Sequence, residues 1–597
     1  MSTLPFDELI SEHVWHTKYQ FNEDGHGHEP DLHASWKRVA LALSAAEPHD
    51  RNDWRDRFEA ALAHFRFLPG GRILANAGTN YRKTLLNCFV AGELHDSIDS
   101  IFSGLSETML TMQAGGGVGC DFSCIRPAGF PVQDGAQHAS GPVSFMRVWD
   151  FSCAALQSGA GRRGAMLACL RIDHPDIEAF IDAKSNPSEL RNFNLSVLVT
   201  DAFMHAVEHD LEWMLVFPLA GRVAQQGAMV LDRFWSHSLA PTPCAVVRSL
   251  PARSLWGKLQ RVAFETGDPG VLFIDRIEQT NNLAYEEIIS ATNPCGEIPL
   301  PPHGVCNLGS INLTQFIHDP FGPHPRLDLQ GIAGTTAVAT RLLDNVISLT
   351  YYPLKAQEKY ARSSRRIGIG ITGLADAFIM LGLRYGSEAS LELAETLMRT
   401  ICHAAYRTSI ELAHEKGTFL SYRAKFFGSG SFIKRLPAEL QDAIHLHGIH
   451  NSHLTAIAPA GSISLLANNI SSGIEPVFAF SVDRLIKDGQ GKTIVIPTQD
   501  YAWKLFQAQT NAQFSTLPNY FVQAAEVDWR DQLKIQAVLQ THVDQAIAKT
   551  INIPVGARFD QYREVFDEAY KLGLKGCTVF RSGSNRAGVI TQREVAA

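Results

Sequence analysis

The sequence predicts an α/β fold in which a helical N-terminal region precedes a long body of alternating strands and helices. Three observations carry this. Residues 1 to about 70 place apolar side chains at helical spacing, with Trp36, Val39, Leu41 and Leu43 in the apolar set. From about residue 70 to 580, short apolar runs such as LSVLVT, GVLFID and TIVIP alternate with helical stretches such as IEAFIDAK and LADAFIMLGL, with turn residues between them. That body is too long for one doubly wound sheet. A barrel-like arrangement, whose polar loops converge on one site, fits its length.

Composition narrows the function classes. A chain of 597 residues can bury a large core in more than one layer. The net charge of -8 is spread over mixed signs with no basic stripe, which argues against a nucleic-acid polymer as partner. No apolar run approaches the ~18–20 residues that cross a bilayer, so no membrane association is expected. The opening MSTLPFDELISEHVW is acidic and lacks the apolar stretch of a signal peptide. The ten cysteines are therefore expected to be cytoplasmic thiols, and a disulfide there to be catalytic rather than structural. His26, His28 and His33 sit in a Gly/Pro-rich loop, but their spacing matches no tetrahedral metal site, so a solvated loop is expected.

The chemistry concentrates in Asn293-Pro294-Cys295-Gly296-Glu297, with Cys306 eleven residues beyond Cys295. Pro and Gly exclude a helix interior, so the segment is a loop tip presenting a carboxamide, a thiol and a carboxylate together. Cys88 lies in LLNCFVAGELHDSIDSI, a β-like run ending in a polar turn. IAPAGSIS, residues 457 to 464, leads small residues with free backbone N–H groups into a helix start. It serves equally as an anion site or as an ordinary capped turn. The glycines of GGGVG, residues 115 to 119, permit close approach of a ligand or a neighbouring strand. Asp96 and Ser97 favour a helix N-cap. Cys120, Cys124, Cys153 and Cys169 lack CxxC spacing and are expected to be core thiols, as are Cys244 and Cys402.

Eleven motifs taken in order make the chain resemble the catalytic protein of a ribonucleotide reductase, in its adenosylcobalamin-dependent class II form. They run from FLPGGRILANAGT and LLNCFV through QAGGGVGCDFSCIRPAG, SGAGRRGAM, DHPDIEAFIDAK and NFNLSV to NPCGEIPLPPHGVCNLGSINL, RRIGIGITGLADA, IAPAGSIS, SSGIEPVF and GLKGCTVFR. The resemblance implies a helical region over residues 1–70 and, over 71–597, a ten-stranded α/β barrel around a central finger loop. It implies that Cys295 becomes a thiyl radical and that Cys88 and Cys306 are the redox pair. Asn293 and Glu297 would orient and deprotonate the ribose hydroxyls. Asn87, Ser123, Ala460, Gly461, Ser462 and Ile463 would contact substrate, the last four at its phosphates. Asp96 and Ser97, with Arg162 and Arg163 of a mobile loop, would bind a deoxynucleoside triphosphate effector at a homodimer interface.

The class follows from wording such as GGGVGCDFS and KGCTVFRSGS, and from a tail without the paired tyrosines of partner-driven reductases or a glycyl-radical motif. The cofactor expected by resemblance is adenosylcobalamin, with no metal held directly by the protein. No cysteine follows Cys577, so re-reduction is expected from an external dithiol or a small cysteine-bearing protein. The chain has no room for an N-terminal ATP-binding cone, so overall on/off control is not expected. The substrate would be a ribonucleoside di- or triphosphate. The alternatives are a reductase subunit that takes its radical from a metalloprotein partner and a non-catalytic nucleotide-binding regulatory paralogue.

Overall fold

The computed structural model describes residues 6–23, 27–132, 138–156, 164–219, 229–487, 493–510, 517–581 and 590–592. Three helices open the chain: α1 (Leu9–Lys18), α2 (Leu32–Ser44) and α3 (Arg51–Leu62). Asp31 caps α2 by accepting the Ala34 N–H at 2.8 Å. Trp36, Val39 and Leu43 share its buried face at i, i+3 and i+7. Leu41 was expected in that set. It is 62% exposed, because two residues from Val39 is just over half a helical turn and points it outward. His26 lies outside the described residues, His28 hydrogen-bonds Asn22, and His33 pairs with Glu59 at 3.4 Å.

Ten strands form the central sheet: β1 (Phe67–Pro69), β2 (Cys88–Val90), β3 (Gly117–Asp121), β4 (Met166–Arg171), β5 (Phe193–Val199), β6 (Gly270–Phe273), β7 (Val305–Asn312), β8 (Ile367–Thr372), β9 (Thr550–Ile553) and β10 (Gly576–Arg581). The path runs β8-β7-β2-β3-β4-β5-β6-β10-β9, and β1 pairs with β7. Strands β2 to β6 are parallel neighbours joined by crossovers that include α4 (Ile98–Gln113) and α5 (Pro142–Ala155). They meet the other strands at two antiparallel seams, β2 with β7 and β6 with β10. Isolated parallel bridges, Ile369 with Thr455 and Ile457 with Ile547, extend the path beyond β8 toward the chain before β9. Of the apolar runs read as strands, LSVLVT and GVLFID enter this sheet. TIVIP instead pairs in a small separate sheet, as Thr493–Gln499 against Ser481–Lys487.

The sheet is covered on both faces, so its strands read as near-continuous apolar runs, such as the wholly buried IGIGIT of β8. One covering is internal. A short hairpin, Ala291–Thr292 against Pro299–Leu300, packs Ile289, Ala291, Ile298 and Leu300 on Val90, Leu167, Leu198, Leu272 and Leu308 of the surrounding strands. Gly119 makes this possible: a Cβ there would lie 1.7 Å from the Thr292 carbonyl oxygen. Within the glycine run of residues 115 to 119, Gly119 thus serves a neighbouring backbone, while Gly115, Gly116 and Gly117 border a cavity.

The N-terminal helices are tied to this body through charge. Glu47, wholly buried, takes two hydrogen bonds from Arg341 at 2.8 and 2.9 Å and one from Asn345 at 2.7 Å, both on α6 (Leu329–Leu349). Burial alone would raise the Glu47 pKa, but the Arg341 and Asn345 hydrogen bonds and the Lys416 charge outweigh it and hold the carboxyl below its usual range. The depressed folded-state pKa means that this stabilisation is complete above the unfolded value near 4.5 and is lost as pH falls through the folded value. Replacing Glu47 by Ala leaves Arg341 paired with Glu415. We expect a loss of about 3 kcal/mol at neutral pH. Thermal unfolding midpoints should differ most at neutral pH and converge as the medium is acidified below the unfolded carboxylate pKa.

Candidate active site

The hairpin ends in the turn that carries Cys295, the one exposed cysteine among the ten. The turn is held from several sides. Gly296 N–H donates to the Asn293 carbonyl at 3.0 Å, and Asn194 Nδ2 donates to the Pro294 carbonyl at 2.8 Å. Ala546 N–H donates to the Glu297 carbonyl at 3.0 Å. Gly296 has φ +86, a conformation that L side chains rarely adopt. The tip is a fixed presentation of the Cys295 thiol.

Cys88 and Cys306 stand directly opposite each other across the β2/β7 seam. Opposed residues of an antiparallel pair have Cα atoms about 4.5–5.5 Å apart, within the roughly 4.4–6.8 Å span of a disulfide. Both are reduced in this structure and at most 2% exposed. Burial pushes the Cys306 thiol well above its usual pKa, and the nearby Glu297 charge adds to the shift against the opposing pull of Arg366. Asn293 Nδ2 donates to Cys88 Sγ at 3.3 Å, and Cys88 Sγ lies 3.9 Å from Glu297 Oε1. The Asn293 carboxamide oxygen is occupied by the Ile298 N–H at 2.9 Å. Its amide hydrogens are therefore the part it turns toward chemistry. Asn293 and Glu297 are 3% and 2% exposed, so both polar groups act in a largely dry interior.

Cys88, Asn293, Cys295 and Glu297 line a cavity of about 330 Å³, together with Asn87, Gly117, Ser310 and the segment Ala458–Ile463. Asn87 Oδ1 is buried there without a hydrogen-bond partner. At the far end, Gly461 and Ser462 open a short helix, α7 (Gly461–Leu466), where first-turn N–H groups have no partner within the helix. The Ala460 N–H is already given to Ser472 Oγ at 2.9 Å, and the Ile463 N–H to the Ala460 carbonyl at 2.9 Å. That leaves Gly461 and Ser462 as the first-turn residues facing this end of the cavity. Lys18, Tyr19 and Arg72 complete that wall, and Tyr19 OH hydrogen-bonds Ser462 Oγ at 2.7 Å. These three come from the helical region and its junction with the sheet, and no local sequence signal marked them.

Other expected site residues lie apart from this cavity. Ser123 is fully buried, its Oγ accepting the Arg171 N–H at 3.0 Å, and it does not line the cavity. Ser97 is the N-cap of α4, accepting the Ser100 N–H at 3.3 Å. Asp96 beside it pairs with Arg126 at 2.8 Å. Arg162 and Arg163 lie outside the described residues. A second cavity of about 320 Å³ touches the other side of the hairpin tip, bounded by Cys295, Gly296, Asn194, Ser196, Asp268 and Thr578. Cys295 thus borders two chambers, each of a size that admits a nucleoside.

Comparison with known proteins meets this geometry. The model of the ribonucleotide reductase barrel domain matches residues 86–580, and that of the ribonucleotide reductase all-alpha domain matches residues 6–82. The chain belongs to the ribonucleotide reductase family. It is 37% identical over 577 residues to a vitamin B12-dependent ribonucleoside-diphosphate reductase of Mycobacterium tuberculosis, covering 93% of this chain and 75% of that protein. It is 34% identical over 559 residues to the enzyme of the same name from Thermoplasma acidophilum, covering 90% and 66%. A ribonucleoside-diphosphate reductase subunit alpha of Chlamydia muridarum is 27% identical over 478 residues, covering 74% and 45%. Among the described residues, no helix of this ribonucleotide reductase family member is long and apolar enough to cross a membrane.

Two outcomes follow from the close packing around the tip. Brief alkylation of the native protein should label Cys295 before Cys88 or Cys306, as read by peptide mass mapping; equal labelling of all three would contradict the burial described. Gly119→Ala should displace the hairpin and abolish turnover. Gly257→Ala, on an open helix surface, should leave activity intact and raise helix stability by up to about 1 kcal/mol.

Proposed function

We propose that the chain reduces ribonucleoside di- or triphosphates to 2′-deoxyribonucleotides by a thiyl-radical mechanism, with adenosylcobalamin as cofactor. The observation that carries this is the Cys295 thiol held between two nucleoside-sized chambers, one of which also holds Cys88, Asn293 and Glu297. The relatives named as vitamin B12-dependent reductases support the same reading. On this reading the central sheet closes as a ten-stranded barrel around the hairpin, which the two isolated bridges leading from β8 toward the chain before β9 favour.

The second chamber fits the cofactor's adenosyl group in size and in its donors, with Asn194, Ser196 and Thr578 placed to hold it. Bound adenosylcobalamin supplies, by homolysis of its cobalt–carbon bond, the oxidant that converts the Cys295 thiol to a thiyl radical.

In the first chamber the ribose lies by the tip and the phosphates by Gly461 and Ser462, with Ala460 and Ile463 shaping the turn and Lys18 and Arg72 adding positive charge. Asn87 offers its buried carboxamide oxygen as an acceptor. The Cys295 thiyl removes the 3′ hydrogen atom, and Glu297 takes the 3′-hydroxyl proton as general base. Cys88 protonates the departing 2′-hydroxyl, which leaves as water. Cys88, which lines the chamber, is better placed for this than Cys306 behind it. The two electrons come from the Cys88–Cys306 pair, which ends as a disulfide; the Cys306 hydrogen passes to C2′, and Glu297 returns its proton to the 3′ oxygen. Asn293 steadies the Cys88 sulfur and donates toward the carbonyl that develops at C3′. Cys295 then returns the hydrogen atom to C3′. Turnover requires an external dithiol or a small cysteine-bearing protein to reduce the disulfide.

We place the protein in the cytoplasm, where the pair can be re-reduced. Regulation by a deoxynucleoside triphosphate at Asp96, Ser97, Arg162 and Arg163 belongs to the same reading, as does a homodimer formed through α4 and α5. Ile98, Phe102, Leu110 and Phe151 are exposed on those helices, in keeping with a covered surface.

The deciding assay is anaerobic, with purified protein, adenosylcobalamin, dithiothreitol and each ribonucleotide. Deoxynucleotide should form only with the cofactor present, disappear in Cys295→Ala, and fall about 10²–10⁴-fold in Glu297→Gln. The oxidised Cys88–Cys306 peptide pair should accumulate when the dithiol is limiting. Absence of product with every ribonucleotide would reject the reading in favour of a partner-supplied radical or a regulatory protein.

A further inference from the structure

The sequence expectation of a core thiol holds for Cys120, Cys153, Cys169, Cys244 and Cys402, all buried, but Cys124 is only half-buried. It lies three residues beyond β3. Glu93 lies three residues beyond β2, the parallel neighbour of β3, so the two strands deliver both side chains to one end of the sheet. His237 reaches the same place from the turn between the strands Val230–Phe234 and Pro241–Pro251 of a three-stranded excursion. Among the described residues, this is where a carboxylate oxygen, a thiol sulfur and an imidazole nitrogen converge, all within 4.8 Å of one another.

A second observation points into the same cluster. The His237 side chain is only 7% exposed, and its Nδ1 is buried without a hydrogen-bond partner. Its Nε2 faces Asp121 Oδ2 at 3.6 Å, and that oxygen, on a side chain 3% exposed, is also buried without a hydrogen-bond partner. The other Asp121 oxygen accepts the Ser123 N–H at 2.9 Å, which fixes the carboxylate. A buried imidazole with one nitrogen turned to a carboxylate and the other unsatisfied is the arrangement that a metal-bound histidine adopts. A ligand on Nδ1 would satisfy the imidazole and fix the proton on Nε2, facing Asp121.

We propose that Glu93, Cys124 and His237 bind a zinc ion that clasps the three-stranded excursion to the ends of β2 and β3, with Asp121 orienting His237. Mixed sulfur, nitrogen and oxygen donors suit zinc rather than calcium or magnesium, which take oxygen alone. Ligands of a tetrahedral zinc stand about 3.5 Å apart, so the donors close by roughly 1 Å through side-chain rotation. Three protein ligands leave the fourth position to solvent on the exposed Glu93 side. The site is distinct from the reductive chemistry: none of its residues lines either chamber bordering Cys295.

The test uses the full-length protein stripped with a chelator and alkylated at Cys295. Titration with zinc should give one tightly bound ion per chain and a higher unfolding midpoint. Cobalt in its place should give a thiolate-to-metal charge-transfer band. Cys124→Ser should abolish the band, and His237→Ala the tight binding, in variants whose metal-free circular dichroism matches the parent. Asp121→Asn should keep the stoichiometry but weaken affinity about 10–100-fold. No thiolate band in the parent protein, or a band that survives Cys124→Ser, would overturn the assignment.

Discussion

The structure depends on one close approach: the backbone of the internal hairpin against Gly119 of β3. A strand carrying any side chain at that position would hold Thr292 away from the sheet. With it seated, Ile289, Ile298 and Leu300 are at most 4% exposed. Each such side chain contributes about 1.5–3 kcal/mol on burial. That apolar packing offsets the desolvation of Asn293 and Glu297, which occupy the same ten-residue excursion. The polar tip can be dry and rigid because the arms behind it are greasy.

The site's electrostatics follow from the same enclosure. Burial holds Cys306 in its protonated thiol form, which suits a group that keeps its hydrogen until the pair is oxidised on the proposed reading. Cationic groups are instead placed at the other end, where Lys18 and Arg72 border the turn of Gly461 and Ser462. The cavity is thus polarised along its length. Its positive end is partly supplied by the N-terminal helices, which explains why they are clamped to the body through Glu47 and Arg341. A mobile helical region would unmake the anion-binding wall without touching the thiols.

Much of this was legible in the sequence, and the exceptions have physical causes. Pro294 and Gly296 announced a turn, and the residue types around Cys295 announced its chemistry, because both are local properties. The alternation of strands and helices gave the architecture. The meeting of Cys88 with Cys306 is a matter of non-local strand register, which spacing does not encode; only resemblance to a family paired them. Leu41 was placed by composition where angular position decides. TIVIP has the look of a buried strand, yet half of it faces outward in a small sheet. Ser123 lies in a motif near the cavity, but its hydroxyl is taken by the Arg171 backbone. Tyr19 and Arg72 reach the cavity from segments with no distinguishing pattern. Cys124 read as another core thiol because its partners, Glu93 and His237, are brought to it only by parallel strand ends and a distant turn.

If Cys88 and Cys306 are the redox pair proposed above, placing them by strand register has a consequence for access. A one-residue slip would turn one thiol to the other face, so the seam itself guarantees the pairing. Disulfide formation needs no rearrangement of β2 or β7, since opposed Cα atoms already stand at a bonding separation. Re-reduction is harder. Both sulfurs belong to residues at most 2% exposed, and of the two only Cys88 lines the chamber. An incoming thiolate must therefore travel through the space a nucleotide occupies and attack at Cys88, releasing Cys306. On the proposed reading, substrate and reductant would compete for one volume of about 330 Å³, so the disulfide would be reopened only after the deoxynucleotide had left. The order of events in a catalytic cycle is imposed by the shape of the cavity, and that shape is set by the hairpin seated on Gly119.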